Sequence, residues 1–229
     1  MRIVCVSDTH GHHAGLAVPD GDLLIHAGDA TMSGRPEELD QFDAWLGTLP
    51  HRHKVVIAGN HDRLFEDQPE EARRRITNAL YLQDAERVVD GVRIWGSPWQ
   101  PWFLSWAFNL KRGAALRAKW ALIPPGIDVL VTHGPPHLIR DRVKGAMAQG
   151  LNIALGHGPN VGCEELREAV RRVRPRLHVF GHIHEGYGRE DADGTLFVNA
   201  SICDEAYRPV NLPVVVDLDQ QVKSATARS

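Results

Sequence analysis

Five short clusters carry the residues best suited to chemistry: Asp8-Thr-His10, Gly28-Asp29, Gly59-Asn-His-Asp62, Thr132-His-Gly134 and Gly181-His-Ile-His184. Each follows an apolar run and opens a turn. Imidazole nitrogen together with carboxylate or amide oxygen, without thiolate, suits Mn, Fe, Zn and related divalent metals. The set offers too many ligands for one ion, and two metals about 3.5–4 Å apart that share a carboxylate are a recurring hydrolytic arrangement. Two dications facing two aspartates keep a surplus of positive charge. That surplus can hold an anionic phosphate, and coordination can lower the pKa of water from 15.7 to roughly 7. A purely structural role would leave charged groups buried without partners, at a cost of several kcal/mol each.

Such residues act together only if the fold brings their turns to one rim. In open α/β sheets, ligands gather outside the carboxyl ends of the strands, where the chain turns. Buried strands are expected over Arg2–Ser7, Asp22–Ala27, His53–Ala58 and Gly126–Thr132, and again at Leu177–Phe180, Thr195–Asn199 and Pro213–Leu218. The spacing of Leu39, Phe42, Trp45, Leu46 and Leu49 predicts a helix from Pro36 to Leu49, and Glu70–Leu80 and Cys163–Val173 also read as helical. Asp90-Gly91 marks a hairpin within Arg87–Trp95. Strand–helix alternation early and hairpins late predict an α/β fold with mixed sheets. The chain reads as one domain over 1–219, with a frayed polar tail at 220–229.

In this order, the five clusters resemble the signature of the calcineurin-like metallophosphoesterases: D-x-H, G-D, G-N-H-D/E, an isolated H and G-H-x-H. The resemblance runs from Asp8 to His184. It implies two mixed β-sheets packed face to face with flanking helices, and two divalent ions, manganese first and iron, nickel or zinc as alternatives. It implies Asp8, His10 and His184 on the first metal, Asn60, His133 and His182 on the second, and Asp29 as the bridge. It also implies that a metal-bridging hydroxide attacks phosphorus, while His61, oriented by Asp62, contacts phosphate or protonates the leaving oxygen. Asp62 could equally cap the following helix. Gly96-Ser-Pro-Trp-Gln-Pro-Trp102, Thr132-His-Gly-Pro-Pro136, Gly181–Gly188 and Asn199-Ala-Ser201 are similar to the MPPED-type branch, which is associated with phosphodiesters including cyclic nucleotides.

The expected function is therefore a dinuclear phosphodiesterase of small substrates. Phosphomonoesterase and nuclease are the alternatives, and a non-catalytic scaffold is disfavoured because all seven ligand positions are filled. Phosphoprotein phosphatases of this type carry an Arg soon after the Gly-Asp, and Gly28-Asp-Ala-Thr-Met-Ser-Gly34 has none. A net charge of −3 gives no electrostatic case for a standing nucleic-acid partner. No run approaches the ~20 apolar residues that cross a bilayer. The first residues lack the apolar core of a signal peptide, and the cytoplasm is the expected address. Cys5, Cys163 and Cys203 suggest reduced thiols rather than a disulfide framework.

Other residues receive plainer readings. His26 is expected to be packed and hydrogen-bonded, and Asp20, Asp22, His51, His53 and His178 structural or solvated. His12 and His13 could line a pocket. His137 and His157 are candidates for substrate contact only. Trp95, Trp99, Trp102 and Trp106 serve either core and loop packing or an aromatic wall that stacks on a flat leaving group.

Overall fold

The computed structural model describes residues 1–144 and 158–219. The expected tail at 220–229 and His157 lie outside the described residues. β1 (Arg2–Val6), β2 (Leu23–His26) and β3 (His53–Val56) run parallel. β4 (Leu80–Tyr81) extends them, and β13 (Val214–Asp217) joins antiparallel at the other edge, giving the order β13-β1-β2-β3-β4. The second sheet has β5 (Ala85–Val89), β6 (Val92–Ser97), β9 (Val129–Thr132), β10 (Leu177–Phe180), β11 (Gly188–Ala192) and β12 (Thr195–Asn199). Its order is β11-β12-β10-β9-β6-β5, parallel in the middle with an antiparallel strand at each edge. A small pair, β7 (Gln100–Pro101) and β8 (Asn109–Leu110), lies apart from both sheets.

Alternation along the central strands decides the layers. Ile3, Cys5, Leu23, Ile25 and Val55 meet Ile94, Val129, Val131, Leu177, Val179 and Val198 in one dry core, so the sheets pack face to face. Val4, Val6, Leu24 and Val56 point the other way, onto Leu39, Phe42 and Leu46 of α1 (Pro36–Thr48). On the far side, Leu130, Phe180 and Phe197 pack on Leu116 and Trp120 of α4 (Ala114–Ala121) and Leu166 and Val170 of α5 (Glu164–Val173). Strands buried on both faces read as continuous apolar runs for this reason. The result is the expected α/β sandwich of two mixed sheets with helices outside. Among the described residues, no helix is long and apolar enough to cross a membrane.

The helix expected over Glu70–Leu80 is shorter. After the single turn of α2 (Leu64–Asp67), α3 runs only from Pro69 to Arg75. The Asp43 carboxylate accepts hydrogen bonds from the backbone N–H groups of Thr77 and Asn78, both at 2.9 Å, and from their side chains at 2.7 and 2.9 Å. That anchor from α1 pulls the chain out of the helix and delivers Leu80 to the edge of β3. The Asp90-Gly91 hairpin forms as expected, with φ of 46° and 82° at its two central residues, the left-handed pair a type I′ turn needs.

Candidate metal centre

The carboxyl ends of both sheets meet along one seam. Ser7, after β1, pairs with Ser201, after β12. The Ser7 N–H donates to the Ala200 carbonyl at 2.9 Å, and the Gly181 N–H to the His133 carbonyl at 2.9 Å. Asp8 and His10 follow β1, Asp29 follows β2, and Asn60 and His61 follow β3. His133 follows β9, and His182 and His184 follow β10. All eight residues converge there.

Two groups of donors form, with Asp29 reaching both. Asp8, His10 and His184 place one donor atom each within 4.8 Å of one another, as do Asp29, His133 and His182, and a third set, His10, Asp29 and His61, links them within the same distance. Asp29 Oδ2 lies 3.9 Å from His10 Nε2 and 3.3 Å from His133 Nε2, facing both groups. Asn60 Oδ1 is 2.8 Å from His133 Nε2 and so belongs with the second. The backbone is bent to achieve this. Asp8, His10, Asp29 and His182 adopt φ of 52°, 43°, 54° and 68°, a left-handed conformation that side-chain-bearing residues avoid and that clusters at functional sites. At Gly59, a Cβ would press on Asp29 and His133.

The hydrogen-bond directions in the group suit a cation. His133 Nδ1 lies 3.0 Å from the Ala27 carbonyl, and His184 Nδ1 lies 2.8 Å from the Asp204 carbonyl. A carbonyl only accepts, so in each ring Nδ1 carries the hydrogen and Nε2 turns a lone pair inward. His133 Nε2 then meets the oxygens of Asn60 and Asp29. His184 Nε2 meets Asp8 Oδ1 at 3.4 Å and His10 Nε2 at 3.3 Å. Acceptors facing acceptors in a buried pocket require either extra protons or a cation, and backbone-anchored imidazoles are how metal-binding histidines are commonly held. The donor set fits divalent metal.

The electrostatics agree. Burial opposes a proton on His133, but the charge of Asp29 and its hydrogen bond outweigh burial and push the imidazole up to about 9. Burial likewise opposes a proton on His184, and the hydrogen bond and charge of Asp8 raise it to about 9. The carboxylates gain in return. Burial works against the charged form of Asp8, yet His184 holds it well below the usual range, and His133 does the same for Asp29. Burial pushes His10 down to about 4, and burial with neighbouring His133 pushes His182 down to about 3, so both present neutral lone pairs.

The neighbouring residues hold this set in place. Asp8 Oδ2 accepts from Ser201 Oγ at 2.8 Å and from the His182 N–H at 3.0 Å. Thr9 Oγ1 meets His26 Nε2 at 3.0 Å, so His26 is packed and hydrogen-bonded as expected, and Thr132 Oγ1 meets His178 Nε2 at 2.8 Å, which makes His178 structural rather than solvated. Each anchors a threonine next to a candidate ligand. Asp62, in contrast, does not orient the His61 ring. Its carboxylate accepts from the N–H groups of Gly59 at 2.8 Å and Thr31 at 3.0 Å and from Thr31 Oγ1 at 2.7 Å, tying two site loops together. Burial and nearby Asp29 raise it to about 6. The His61 ring is held by the Met32 carbonyl, 2.7 Å from Nδ1, and its backbone N–H donates to Asp29 Oδ1 at 2.8 Å.

Three of these tryptophans pack within the protein. Trp95 belongs to the core of the second sheet, and Trp99 packs on Phe108. Trp106 lies against His61 with ring centroids 4.3 Å apart. Two site residues escaped the sequence. Ser201 stands in a motif already singled out, Asn199-Ala-Ser201, with no signal that its hydroxyl would reach Asp8. Tyr207 packs on His10, His61 and His184 from a polar loop far along the chain. His137 sits beside Asp141 at 3.4 Å, and His13 packs on Phe42 and Trp45.

Comparison with known proteins is consistent with this geometry. The family model for calcineurin-like phosphoesterase matches residues 1–186. The chain is 48% identical over 241 residues to human metallophosphoesterase domain-containing protein 1, covering 95% of this chain and 71% of that protein. The expected likeness to that branch therefore holds. Among solved structures, the phosphopantetheinyl hydrolase of Mycobacterium tuberculosis is similar in fold, with a TM-score of 0.56 at 15% identity over 93% of this chain and 95% of that one. A Thermus thermophilus protein gives 0.54 at 13% identity, over 86% and 88%.

Proposed function

This chain belongs to the calcineurin-like phosphoesterase family, and on that premise we propose that it is a dinuclear-metal phosphodiesterase of small substrates. Family membership carries hydrolysis of phosphoric esters with divalent metal. The finer reading rests above all on Asp29, whose carboxylate faces two separate groups of nitrogen and oxygen donors beside His61. Asp8, His10 and His184 would hold one ion, Asn60, His133 and His182 the other, with Asp29 shared. Manganese is the first metal to test, with iron, nickel or zinc as alternatives. Two such ions would supply Lewis acidity at the phosphoryl oxygens and a water acidic enough to give hydroxide near neutral pH.

The chain's own residues supply the rest. His61 lies within the donor set beside His10 and Asp29, and with Nδ1 anchored on the Met32 carbonyl its Nε2 is the ring nitrogen left for chemistry. With both nitrogens protonated, it can hydrogen-bond to a phosphoryl oxygen or give a proton to the departing oxygen. Trp106 fixes the tilt of its ring. The loop after Asp29 favours a diester over a monoester, because a monoester dianion asks for more positive charge. No Arg stands between Gly28 and Gly34, and Thr31 and Met32 spend their polar groups on Asp62 and His61. Cyclic nucleotides and aryl diesters are the first candidate substrates. The three buried free thiols suit a reducing compartment, and we place the enzyme in the cytoplasm.

Assays of the Mn-, Ni- and Zn-loaded protein against bis(nitrophenyl) phosphate, nitrophenyl phosphate and a cyclic nucleotide test this reading. Diester turnover should exceed monoester turnover. The reverse order would replace it with a phosphomonoesterase.

A further inference from the structure

Tyr207 stands over the donor set although no sequence motif points to it. Its ring meets His10 edge-on at 4.8 Å between centroids and His184 at 5.5 Å. Its hydroxyl lies 3.4 Å from His61 Nε2. The residue has φ of 59°, a conformation that is costly for any residue with a side chain. A tight loop enforces it. The Tyr207 N–H donates to the Asp204 carbonyl at 2.9 Å, and the Asp204 carboxylate takes the Arg208 N–H at 2.9 Å and its guanidinium Nε at 2.8 Å. The Asp204 carbonyl is also the anchor of His184. One loop therefore sets a candidate ligand and aims a phenol at the site.

The direction of the hydrogen bonds identifies what the phenol can do. His61 Nδ1 carries its hydrogen toward Met32, so Nε2 accepts, and the Tyr207 hydroxyl is the donor. At 3.4 Å that bond is long for a hydroxyl donor, whose usual distance is about 2.7–3.0 Å. The hydroxyl and His61 Nε2 therefore lie side by side next to the His10 and Asp29 donors, and the tyrosine is 38% exposed. Two polar atoms this close can both contact one ester oxygen.

We propose that Tyr207 is a substrate-contact residue whose hydroxyl donates a hydrogen bond to the leaving ester oxygen of a phosphodiester, alongside His61. This rests on the phosphodiesterase reading above. The hydroxyl keeps its proton throughout and stabilises the negative charge that builds on the departing oxygen. It therefore favours diesters whose leaving group is a basic alkoxide over those with an activated aryl group. The ring is a separate matter, since it packs on His10 and His184 whether or not it bears the hydroxyl.

Tyr207→Phe separates the two roles, because it keeps the ring and removes the donor. The Mn-loaded wild type and variant are compared on a cyclic nucleotide and on bis(nitrophenyl) phosphate, with metal content measured for each. The expected result is unchanged metal content and a fall in kcat of about 10–100-fold on the cyclic nucleotide, the usual worth of one hydrogen bond to a charged group. On the nitrophenyl diester the loss should be under about threefold, since that oxygen gains little from a donor. Equal losses on both substrates, no loss on either, or loss of metal would overturn the proposal and leave the phosphodiesterase reading standing. A wild type that hydrolyses neither diester would overturn both.

Discussion

Asn60 and His61 are adjacent in sequence and opposite in expected role, which makes them the sharpest pair to separate by substitution. Asn60 offers a neutral amide oxygen 2.8 Å from His133 Nε2, on the side of the second donor group. Asn60→Ala should therefore lower metal content toward one ion per chain and abolish turnover together. His61→Ala should keep both ions while kcat falls by roughly 10²–10⁴-fold, the typical worth of general acid–base help. The loss should shrink for a nitrophenyl leaving group. Elemental analysis alongside rates on a good and a poor leaving group reads both outcomes. If His61→Ala released an ion, His61 would join the ligands. An equal rate loss on both substrates would make phosphate positioning its main role. Legibility at this scale followed local context. Asp8, His10, Asp29, Asn60, His133, His182 and His184 each stand where an apolar run breaks, so their convergence could be read from the chain. The bonds made by Asp62, Ser201 and Tyr207 depend on which loops touch, and nothing local encodes that.

At the scale of elements, the site is held by turns whose backbones leave no room. A Cβ at Gly181, between β10 and His182, would collide with the Asp8 carboxylate and the Ser7 side chain. Gly181→Ala should destabilise the fold by about 1–3 kcal/mol, the usual cost of overpacking, and displace Asp8, so metal content should drop as well. Urea denaturation and elemental analysis measure the two effects, and a variant of unchanged stability and metal content would contradict this reading of the turn. The strand β10 also carries an acid-sensitive group. Burial, with Arg167 adding to it, pushes His178 down to about 3, against about 6.5 in an unfolded chain. The unfolded state then binds the proton first, so the His178 contribution is intact above about pH 6.5 and is lost as pH falls toward 3, at no more than about 1.4 kcal/mol per pH unit. In metal-free protein, His178→Gln should show a shallower fall in stability between pH 6.5 and 5 than the wild type, by up to one proton's worth. Parallel slopes would mean that His178 is hydrated. The long buried strands were legible because residues covered on both faces form unbroken apolar runs. The end of α3 was not, because the Asp43 carboxylate that stops it comes from a helix some thirty residues earlier, at 2.9 Å from the Thr77 N–H. β4, β7 and β8 are two-residue strands fixed by their neighbours rather than by any pattern of their own.

For the molecule as a whole, the seam between the sheets is both the candidate site and a join in the fold. One sheet supplies Asp8, Asp29 and Asn60, and the other supplies His133, His182 and His184, so bound metal would cross-link the two layers. Ligand present at 100 times its Kd stabilises a folded protein by about 2.7 kcal/mol, and a chain of this size shifts in Tm by about 2–4 °C per kcal/mol. Stripping metal should therefore lower the Tm by several degrees as well as remove activity. The central claim is that two ions, held by this seam, make the chain a hydrolase. Its most direct test is to dialyse the protein against chelator, then titrate Mn back while following bound metal by elemental analysis and turnover of bis(nitrophenyl) phosphate. The stripped protein should show no turnover, and the rate should rise to its plateau as two ions bind per chain. Full turnover after chelation, with less than one ion remaining per chain, would contradict that claim.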